Sequence, residues 1–268
     1  MIKLVVTDVD GTIVGKDEIL HQEFIDYVKA LKSQGILYTI ATGRVDGLVK
    51  RYISAMAIDI PYAACNGGTI LQGEQVLCRK TIPLAALRGI IRTADQMGMS
   101  VLYSINGQES AYRETDYVKE QQTQYHRYDN PSGFTEADWE RLQLDKVIIM
   151  AAVRDGSIGM IEELCQQLPP DIGYKRYANK AIDILHAEAT KEEGVKALAK
   201  MLGIPMAEVL FAGDDLNDIG SFARAGIGVA VANAQPEAKA AADYIASGEC
   251  YEGVMEAIDR FVIRGEKL

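Results

Sequence analysis

The sequence predicts an α/β protein in which a parallel-sheet domain is interrupted by an inserted α+β domain. Two observations lead to this prediction. Short apolar strands alternate with helices at both ends of the chain, as a parallel sheet with helices on both faces requires. The alternation breaks in a central stretch, residues 83–185, which is richer in tyrosine, glutamine, asparagine and charge between residues 105 and 140.

The first segment of the chain, residues 1–82, alternates strand and helix. Apolar residues at helical spacing, followed by Gly35, predict a helix from Glu18 to Ser33. Short apolar runs that end in polar residues predict the strands. In order, the predicted elements are a strand over 2–8, the helix over 18–33, a strand over 37–41, a helix over 45–56 and a strand over 61–65.

The same patterns divide the rest of the chain into a separate module and a return to the first domain. The central segment has a predicted helix over 84–98, a strand over 100–104, a strand over 145–153, a helix over 157–168 and strands over 173–178 and 181–185. The last segment has helices over 191–202, 219–225, 236–242 and 251–263, and strands over 209–212, 226–231 and 244–245. One domain, 1–82 plus 186–268, is therefore expected to carry 83–185 as an insertion.

Composition limits the partners that the protein can have. The chain has 268 residues, enough to bury a full hydrophobic core, and a formal net charge of −10. Nucleic acid and anionic membranes bind basic surfaces, so neither is an expected partner. No oligomeric state follows from these features.

The sequence also predicts a cytosolic location. No apolar run approaches the ~18 residues that span a membrane. Asp8 and Asp10 come too early in the chain for a signal peptide. The four cysteines and three histidines are scattered, without a Cys-x-x-Cys pair. Reduced thiols are therefore expected, and a zinc site is not.

The first polar motif, Asp8-Val9-Asp10-Gly11-Thr12, follows the first strand. Two carboxylates this close bind a divalent cation readily, and with the cation in place one can act as a nucleophile while the other transfers a proton. Gly11 lets the chain turn without a Cβ clash. An acidic turn is the alternative. A calcium loop is excluded, because the next acid and glycine do not fall at the required spacing.

Polar residues also follow the second and third strands. Thr42 and Gly43 offer a hydroxyl and backbone N–H groups just before a helix, which suits a phosphoryl oxygen, although Thr42 on its own is more typical of a helix cap. Arg44 is expected to pair with phosphate or with a nearby acid. Asn66, in Asn66-Gly67-Gly68, is expected in a turn or in a loop that borders a ligand.

The strongest acidic motif is Gly213-Asp214-Asp215-Leu216-Asn217-Asp218, at the end of a predicted strand. Carboxyl and amide groups clustered in this way repel one another unless a cation or hydrogen bonds compensate. The alternative is a helix N-terminus, whose dipole favours acids. Lys191 is by itself typical of a solvated surface group, but it gains weight because a site for phosphate among carboxylates needs a cation.

Together these motifs resemble those of the haloacid dehalogenase superfamily of phosphatases, and their order along the chain is the same. The Cof-type branch matches best, because its cap domain is inserted between the second and third motifs, where residues 83–185 lie. Residues 191–234 match that branch beyond the single motifs. Glu192 departs from it, since glycine commonly follows the motif lysine. The resemblance implies a Rossmann-like parallel-sheet core with an inserted α+β cap.

The resemblance also implies a role for each motif residue. Asp8 would attack phosphorus, and Asp10 would protonate the leaving alcohol and then activate water. Mg²⁺ would be held by Asp8, the backbone carbonyl of Asp10 and Asp214, and Asp218 would orient the metal site. The groups that would bind the phosphoryl oxygens are the N–H of Val9, Thr42, the N–H of Gly43, Lys191 and Asn217. Arg44 and Asn66 would lie on loops near the substrate.

The expected function is hydrolysis of a small phosphate monoester, such as a sugar phosphate or a similar metabolite, through an aspartyl-phosphate. A phosphomutase of the same superfamily is the first alternative. A non-catalytic phosphometabolite-binding protein is the second, although binding alone needs neither a nucleophile nor a proton shuttle. The cap is expected to contact the leaving group. Its candidate contacts, unranked by the sequence, are Tyr103, Tyr112, Arg113, Tyr117, Tyr125, His126, Arg127, Tyr128 and Trp139.

Overall fold

The computed structural model describes residues 1–152 and 156–268 and divides the chain into two compact units. The first, which we call the core unit, comprises Met1–Cys78 and Thr190–Leu268, and the second, the cap unit, comprises Arg79–Ala189. The borders expected from the sequence, after residues 82 and 185, each lie four residues from these limits.

The first segment of the core unit contains five strands and two helices. They are β1 (Leu4–Thr7), α1 (Gln22–Ser33), β2 (Leu37–Ile40), α2 (Asp46–Ala55), β3 (Tyr62–Ala64), β4 (Thr69–Gln72) and β5 (Gln75–Arg79). The helix predicted from Glu18 begins four residues later, because Glu18 has a φ of 56°, which is outside the helical region. The hairpin of β4 and β5 was not predicted.

The cap unit contains seven strands and four helices in its described residues. They are β6 (Ile82–Pro83), α3 (Arg88–Gln96), β7 (Ser100–Ile105), β8 (Gln108–Ala111), α4 (Asp116–Tyr125), α5 (Glu136–Arg141), β9 (Gln143–Leu144), β10 (Lys146–Met150), α6 (Ile158–Cys165), β11 (Ile172–Tyr177) and β12 (Ala181–His186). Five strands form an antiparallel sheet in the order β11-β12-β10-β7-β8. The strand predicted over 145–153 reaches Val153, which lies outside the described residues.

The last segment returns to the core unit and follows the predicted order. Its elements are α7 (Lys191–Met201), β13 (Val209–Gly213), α8 (Ile219–Arg224), β14 (Ile227–Ala230), α9 (Pro236–Ala241), β15 (Tyr244–Ile245) and α10 (Cys250–Ile258). A π-helical turn, Asp259–Ile263, continues α10, so the two together cover the predicted helix over 251–263. No helix within residues 1–152 and 156–268 is long and apolar enough to cross a membrane.

The core unit contains a five-stranded parallel sheet in the order β15-β14-β13-β1-β2. Leu4, Val5 and Val6 of β1 are fully buried, as a strand covered on both faces requires. This sheet and the cap unit confirm the predicted α/β fold class. Strand β3 differs from expectation. A single parallel bridge joins it to Ala41, directly after β2, and it pairs antiparallel with β4, because the chain reverses at Asn66-Gly67-Gly68.

Candidate active site

Asp8 lies directly after β1, at the carboxyl edge of the parallel sheet. Its N–H donates to the carbonyl of Ala212 in β13 at 2.9 Å, so the backbone is fixed. The residue is only 5% exposed. Oδ2 lies 2.8 Å from Nζ of Lys191, whereas Oδ1 is buried and has no hydrogen-bond partner among the described residues.

Lys191 is the first residue of α7 and is buried, so the alternative of a solvated surface lysine is wrong. Its Nζ lies 2.7 Å from Oδ1 of Asp218 and 3.3 Å from Oδ1 of Asn217, in addition to its contact with Asp8. Burial lowers the pKa of the lysine, but attraction to Asp218 and Asp8 outweighs that effect and raises it. The ammonium group is therefore a fixed positive charge at the centre of the motifs.

The loop at Asn66-Gly67-Gly68 places the start of α7. Gly67 has a φ of 81°, and a Cβ there would overlap the carbonyl oxygen of Thr190 and the backbone of Gly194. Only glycine permits this close approach. Next to it, Asn66 accepts a hydrogen bond through Oδ1 from Nδ2 of Asn217 at 3.0 Å. The expected turn is therefore confirmed, and the expectation that this loop borders a ligand stays a prediction.

Asp218 organises the acidic motif from within. It is fully buried, and its Oδ2 accepts hydrogen bonds from the N–H groups of Asp214 and Asp215, both at 3.0 Å. Its Oδ1 faces Lys191, so both oxygens have protein donors. Oδ1 of Asp214 accepts a hydrogen bond from the hydroxyl of Thr12 at 2.7 Å, a contact that was not predicted from the sequence. Asp218 thus holds the loop that presents Asp214.

Asp8, Asp214 and Asp218 bring carboxylate oxygens within 4.8 Å of one another. Burial raises the pKa of Asp8 well above its ordinary value; Lys191 opposes the rise, and Asp218 and Asp214 add to it. Burial likewise raises the pKa of Asp214 to about 6, with Thr12 opposing and Asp218 adding. Three carboxylates against one ammonium group leave surplus negative charge. That surplus, together with the unpartnered Oδ1 of Asp8, fits a hard divalent cation such as Mg²⁺.

Asp10 has its side chain outside this cluster, which is compatible with the expectation that its backbone carbonyl is the metal ligand. The side chain is 52% exposed and pairs with Arg44, which donates from Nε to Oδ2 at 2.8 Å and from Nη2 to Oδ1. The sequence left Arg44 between phosphate and an acid, and the structure pairs it with acids. The second is Glu18, whose Oε1 lies 3.1 Å from Nη2 and which sequence reasoning missed.

The remaining phosphate-binding candidates lie at the same sheet edge. Thr42 is fully buried, and its hydroxyl accepts a hydrogen bond from the N–H of Arg44 at 3.2 Å. A Cβ on Gly43 would lie 3.2 Å from Oδ1 of Asn66, so these two loops are in contact. The carbonyl of Val9 accepts from the N–H groups of three residues that follow it, which closes the turn of the first motif.

Asn233 is a further site residue to which the sequence gave no role. Its Nδ2 donates to the carbonyl of Gly11 at 2.7 Å, and its Oδ1 accepts from the N–H of Cys250 at 2.8 Å. Its position in the segment that follows β14 was the available signal. Beside it opens a cavity of about 890 Å³, lined by Asp10 and Asp214 among other residues, which has room for a hydrated cation.

Within the cap unit, the structure ranks the aromatic candidates. Trp139 and Tyr103 are buried and pack on Phe134, with ring centroids 5.2 Å and 4.6 Å from it. Tyr112 joins the same group at 5.4 Å. These residues therefore pack the interior. Tyr128 differs, because its hydroxyl donates to a carboxylate, Oε2 of Glu109, at 3.0 Å.

Comparison with known proteins shows which family has a sequence similar to this chain. A sequence profile of the haloacid dehalogenase-like hydrolases matches residues 5–258. A 5-amino-6-(5-phospho-D-ribitylamino)uracil phosphatase of Escherichia coli is 26% identical over 268 residues, covering 97% of this chain and 96% of the relative. A phosphoglycolate phosphatase of Methanopyrus kandleri is 27% identical over 262 residues, covering 95% and 94%. A haloacid dehalogenase-like hydrolase from Bacteroides thetaiotaomicron has a crystal structure similar to this fold, with a TM-score of 0.85, 24% identity and coverage of 97% of this chain and 100% of that chain.

These matches extend over both units of the chain. The two curated relatives are phosphatases, and the solved structure has the same fold over its whole length. The motif order and the inserted cap unit agree with the Cof-type branch. The chain therefore belongs to the haloacid dehalogenase-like hydrolase family and is a phosphoric monoester hydrolase of the Cof type.

Proposed function

We propose that this hydrolase is a Mg²⁺-dependent phosphatase of small phosphorylated metabolites and that it acts through a phosphorylated Asp8. The observation that carries the proposal is the asymmetry of the Asp8 carboxylate. One buried oxygen is fixed 2.8 Å from Nζ of Lys191, and the other has no partner among the described residues. A carboxylate held in this way is oriented for attack on an incoming phosphoryl group.

In the proposed reaction, an oxygen of Asp8 forms a bond to phosphorus as the bond to the leaving oxygen breaks. Asp10 gives its proton to that oxygen and releases the alcohol. Asp10 then takes a proton from a water molecule that attacks the aspartyl-phosphate, which releases inorganic phosphate and regenerates Asp8. Mg²⁺, held by Asp8, Asp214 and the backbone carbonyl of Asp10, would neutralise charge on the phosphoryl group.

The other site residues hold the phosphoryl oxygens. Lys191 supplies a buried positive charge, and Asp218 keeps it in place. Phosphoryl transfer needs alignment and charge neutralisation more than covalent chemistry, so fixed donors are the main contribution of the protein. The proposed donors are the N–H of Val9, Thr42, the N–H of Gly43, Lys191 and Asn217.

We assign selection of the leaving group to the cap unit, Arg79–Ala189, which contains the insertion expected over 83–185. The two relatives named above act on a ribitylamino-uracil phosphate and on phosphoglycolate. Both are small phosphate esters of alcohols. The proposed substrate class is therefore a small phosphorylated metabolite.

The test is phosphate release from sugar phosphates, alditol phosphates, phosphoglycolate and p-nitrophenyl phosphate by the purified protein, with Mg²⁺ and with chelator. We expect Mg²⁺-dependent release and a labelled phosphoenzyme that is trapped by acid quench. Full activity in chelator, or a labelled phosphoenzyme in an Asp8→Asn variant, would contradict the proposal. Isomerised sugar phosphate without free phosphate would identify a phosphomutase instead.

A further inference from the structure

The pairing of Asp10 with Arg44 extends beyond a single contact. Asp10 sits on a turn at the sheet edge, and half of its side chain is exposed. Both of its carboxylate oxygens nevertheless accept hydrogen bonds from one guanidinium group. A two-point contact of this kind fixes the plane of the carboxylate as well as its position, which a lysine or a single bond would not do.

Arg44 is itself held on all sides. Its N–H donates to the hydroxyl of Thr42 at 3.2 Å, and its carbonyl accepts from the N–H of Cys65 at 2.7 Å. Its side chain is 9% exposed, with the guanidinium 5.5 Å from the ring centroid of Tyr52. The arginine is therefore a rigid part of the second motif and not a mobile surface group.

Glu18 secures the far side of the guanidinium. Its Oε1 lies 3.1 Å from Nη2 of Arg44, and its Oε2 accepts from Nη2 of Arg51 at 2.8 Å. Its carbonyl accepts from the hydroxyl of Tyr52 at 3.1 Å, and its φ of 56° is rare for a residue other than glycine or asparagine. The carboxylate of Glu18 therefore contacts two arginines, Arg44 and Arg51.

From this geometry we propose that Arg44, supported by Glu18, is the positioning residue that orients Asp10 for proton transfer. The inference rests on the proposed function, in which Asp10 is the proton donor and acceptor. Arg44 has two competing roles, binding the phosphoryl group or an anionic leaving group. Its donors face two carboxylates, and this favours the positioning role. A proton-transfer group displaced by about 1 Å can lose ~10²-fold in rate, so the contact matters to catalysis.

The test compares two substrates that differ in their need for an acid. An alkyl phosphate needs a proton on its leaving oxygen, whereas p-nitrophenolate leaves without one. In Arg44→Gln we expect kcat/KM for the alkyl phosphate to fall by ~10–10²-fold, close to the loss in Asp10→Asn. For p-nitrophenyl phosphate we expect the same parameter to fall by less than ~5-fold. The Asp10→Asn/Arg44→Gln double variant should lose little beyond Asp10→Asn, because the two residues act as one unit.

Further variants separate this role from folding. Glu18→Gln keeps the Arg44 and Asp10 side chains but removes the negative charge that supports the guanidinium group. It should therefore show the same difference between the two substrates, with smaller losses of kcat/KM. Arg44→Lys keeps the charge but not the two-point contact, so it should not restore the wild-type rate. These two variants carry the test if Arg44→Gln does not fold. Arg260→Gln, which removes an arginine 2.7 Å from Glu266, is the matched control and should leave both rates unchanged.

The outcomes distinguish the two levels of inference. Equal losses for both substrates, a rise in KM alone, or losses that multiply in the double variant would overturn the positioning role. An Asp10→Asn variant as active as the wild type on the alkyl phosphate would instead overturn the proposed function.

Discussion

Both units of this protein bury charged side chains, but they balance the charges differently. In the core unit three carboxylates face one ammonium group: Asp8, Asp214 and Asp218 against Lys191. In the cap unit two carboxylates meet two lysines: Glu109 and Asp183 with Lys146 and Lys175. A balanced cluster can be satisfied within the protein, whereas surplus negative charge calls for a cation from outside. The difference points to the core cluster as the functional one.

The cap cluster shows what internal balance looks like. Nζ of Lys146 lies 3.7 Å from Oε1 of Glu109, with side chains that are 7% and 11% exposed. Burial raises the pKa of Asp183, while Lys146 and Lys175 lower it and Glu109 raises it. Each carboxylate therefore has a positive neighbour. Burial without surplus charge is compatible with a structural role.

The largest expected effect is that of Asp8→Asn. Removal of the nucleophile should lower kcat by ~10⁴-fold or more. The same change should leave the metal-free protein as stable as the wild type or more stable, because one of three repelling carboxylates becomes neutral. Steady-state kinetics and thermal unfolding in chelator measure the two effects. A loss of activity accompanied by a large loss of stability would mean that Asp8 supports the fold, and the comparison between the clusters would fail.

The second prediction sets Lys191→Gln against Lys146→Gln. Lys191→Gln removes the ammonium group of the core cluster, and Lys146→Gln removes one of the two lysines of the cap cluster. We expect each change to cost ~3 kcal/mol or more in the free energy of unfolding without metal. Added Mg²⁺ should restore part of that stability in Lys191→Gln, because the cation can replace the missing charge among the carboxylates. It should restore none in Lys146→Gln. The same Mg²⁺ response in both variants would remove the distinction between the clusters.

The third prediction concerns pH. In the folded protein, burial raises the pKa of Asp214 from its ordinary value of 3.8 to about 6. At Asp214 the folded state therefore binds more protons than the unfolded state in this window, so the contribution of this carboxyl to the stability of the metal-free protein should fall as pH rises from about 4 to 7, by up to ~3 kcal/mol. The raised pKa of Asp8 has the same sign. Lys191 contributes nothing here, since its protonated form persists far above this range.

Added Mg²⁺ and the variant Asp183→Asn in the cap unit separate the contributions that different carboxyls make to this pH dependence. Mg²⁺ should suppress the part that comes from Asp8 and Asp214, because a bound cation favours their ionised forms. The part that comes from Asp183 should persist with Mg²⁺ and disappear in Asp183→Asn, since the pKa of that carboxyl is also raised by burial. Denaturant unfolding at several pH values measures both parts. The same pH dependence in the metal-free Asp214→Asn variant as in the metal-free wild type would contradict the assignment to Asp214.

The sequence predicted that Asp8 and Asp214 come together, because the signals for this arrangement are local. A carboxylate after an apolar strand lies at the strand end, and parallel strands bring such ends to one edge, so Asp8 and Asp214 meet as expected. Nothing local marks Lys191 as a buried lysine, and it was singled out by the need for a cation at a phosphate site among carboxylates and by the resemblance to a family. Its position depends on how closely Gly67 approaches α7, which is a property of the folded chain.

Other features depend on side-chain direction or on weak patterns and were not predictable. Arg44 could have bound phosphate or an acid, and its pairing with acids depends partly on Glu18. Glu18 has a left-handed backbone conformation, which a glutamate in the sequence does not indicate. Helices α4 and α5 were missed because each buries a single side chain, Val118 and Trp139 respectively, and so lacks an apolar stripe. The packing role of Trp139 became visible only in its contact with Phe134.

The smallest expected effect is that of Glu192→Gly, which restores the residue common in the Cof-type branch. Glu192 lies next to Lys191 but turns away from the cluster: its Oε1 accepts from Nε of Arg224 at 2.8 Å, with side chains that are 30% and 69% exposed. Because an exposed pair contributes little, the loss of stability should be ~1 kcal/mol, mostly from glycine in a helix. Glu192→Ala, which keeps helix propensity, should lose less. We expect kcat, KM and the Mg²⁺ response of both variants to match the wild type, because charge outside the buried cluster does not alter its surplus; a change in Mg²⁺ affinity would place Glu192 among the groups that set it.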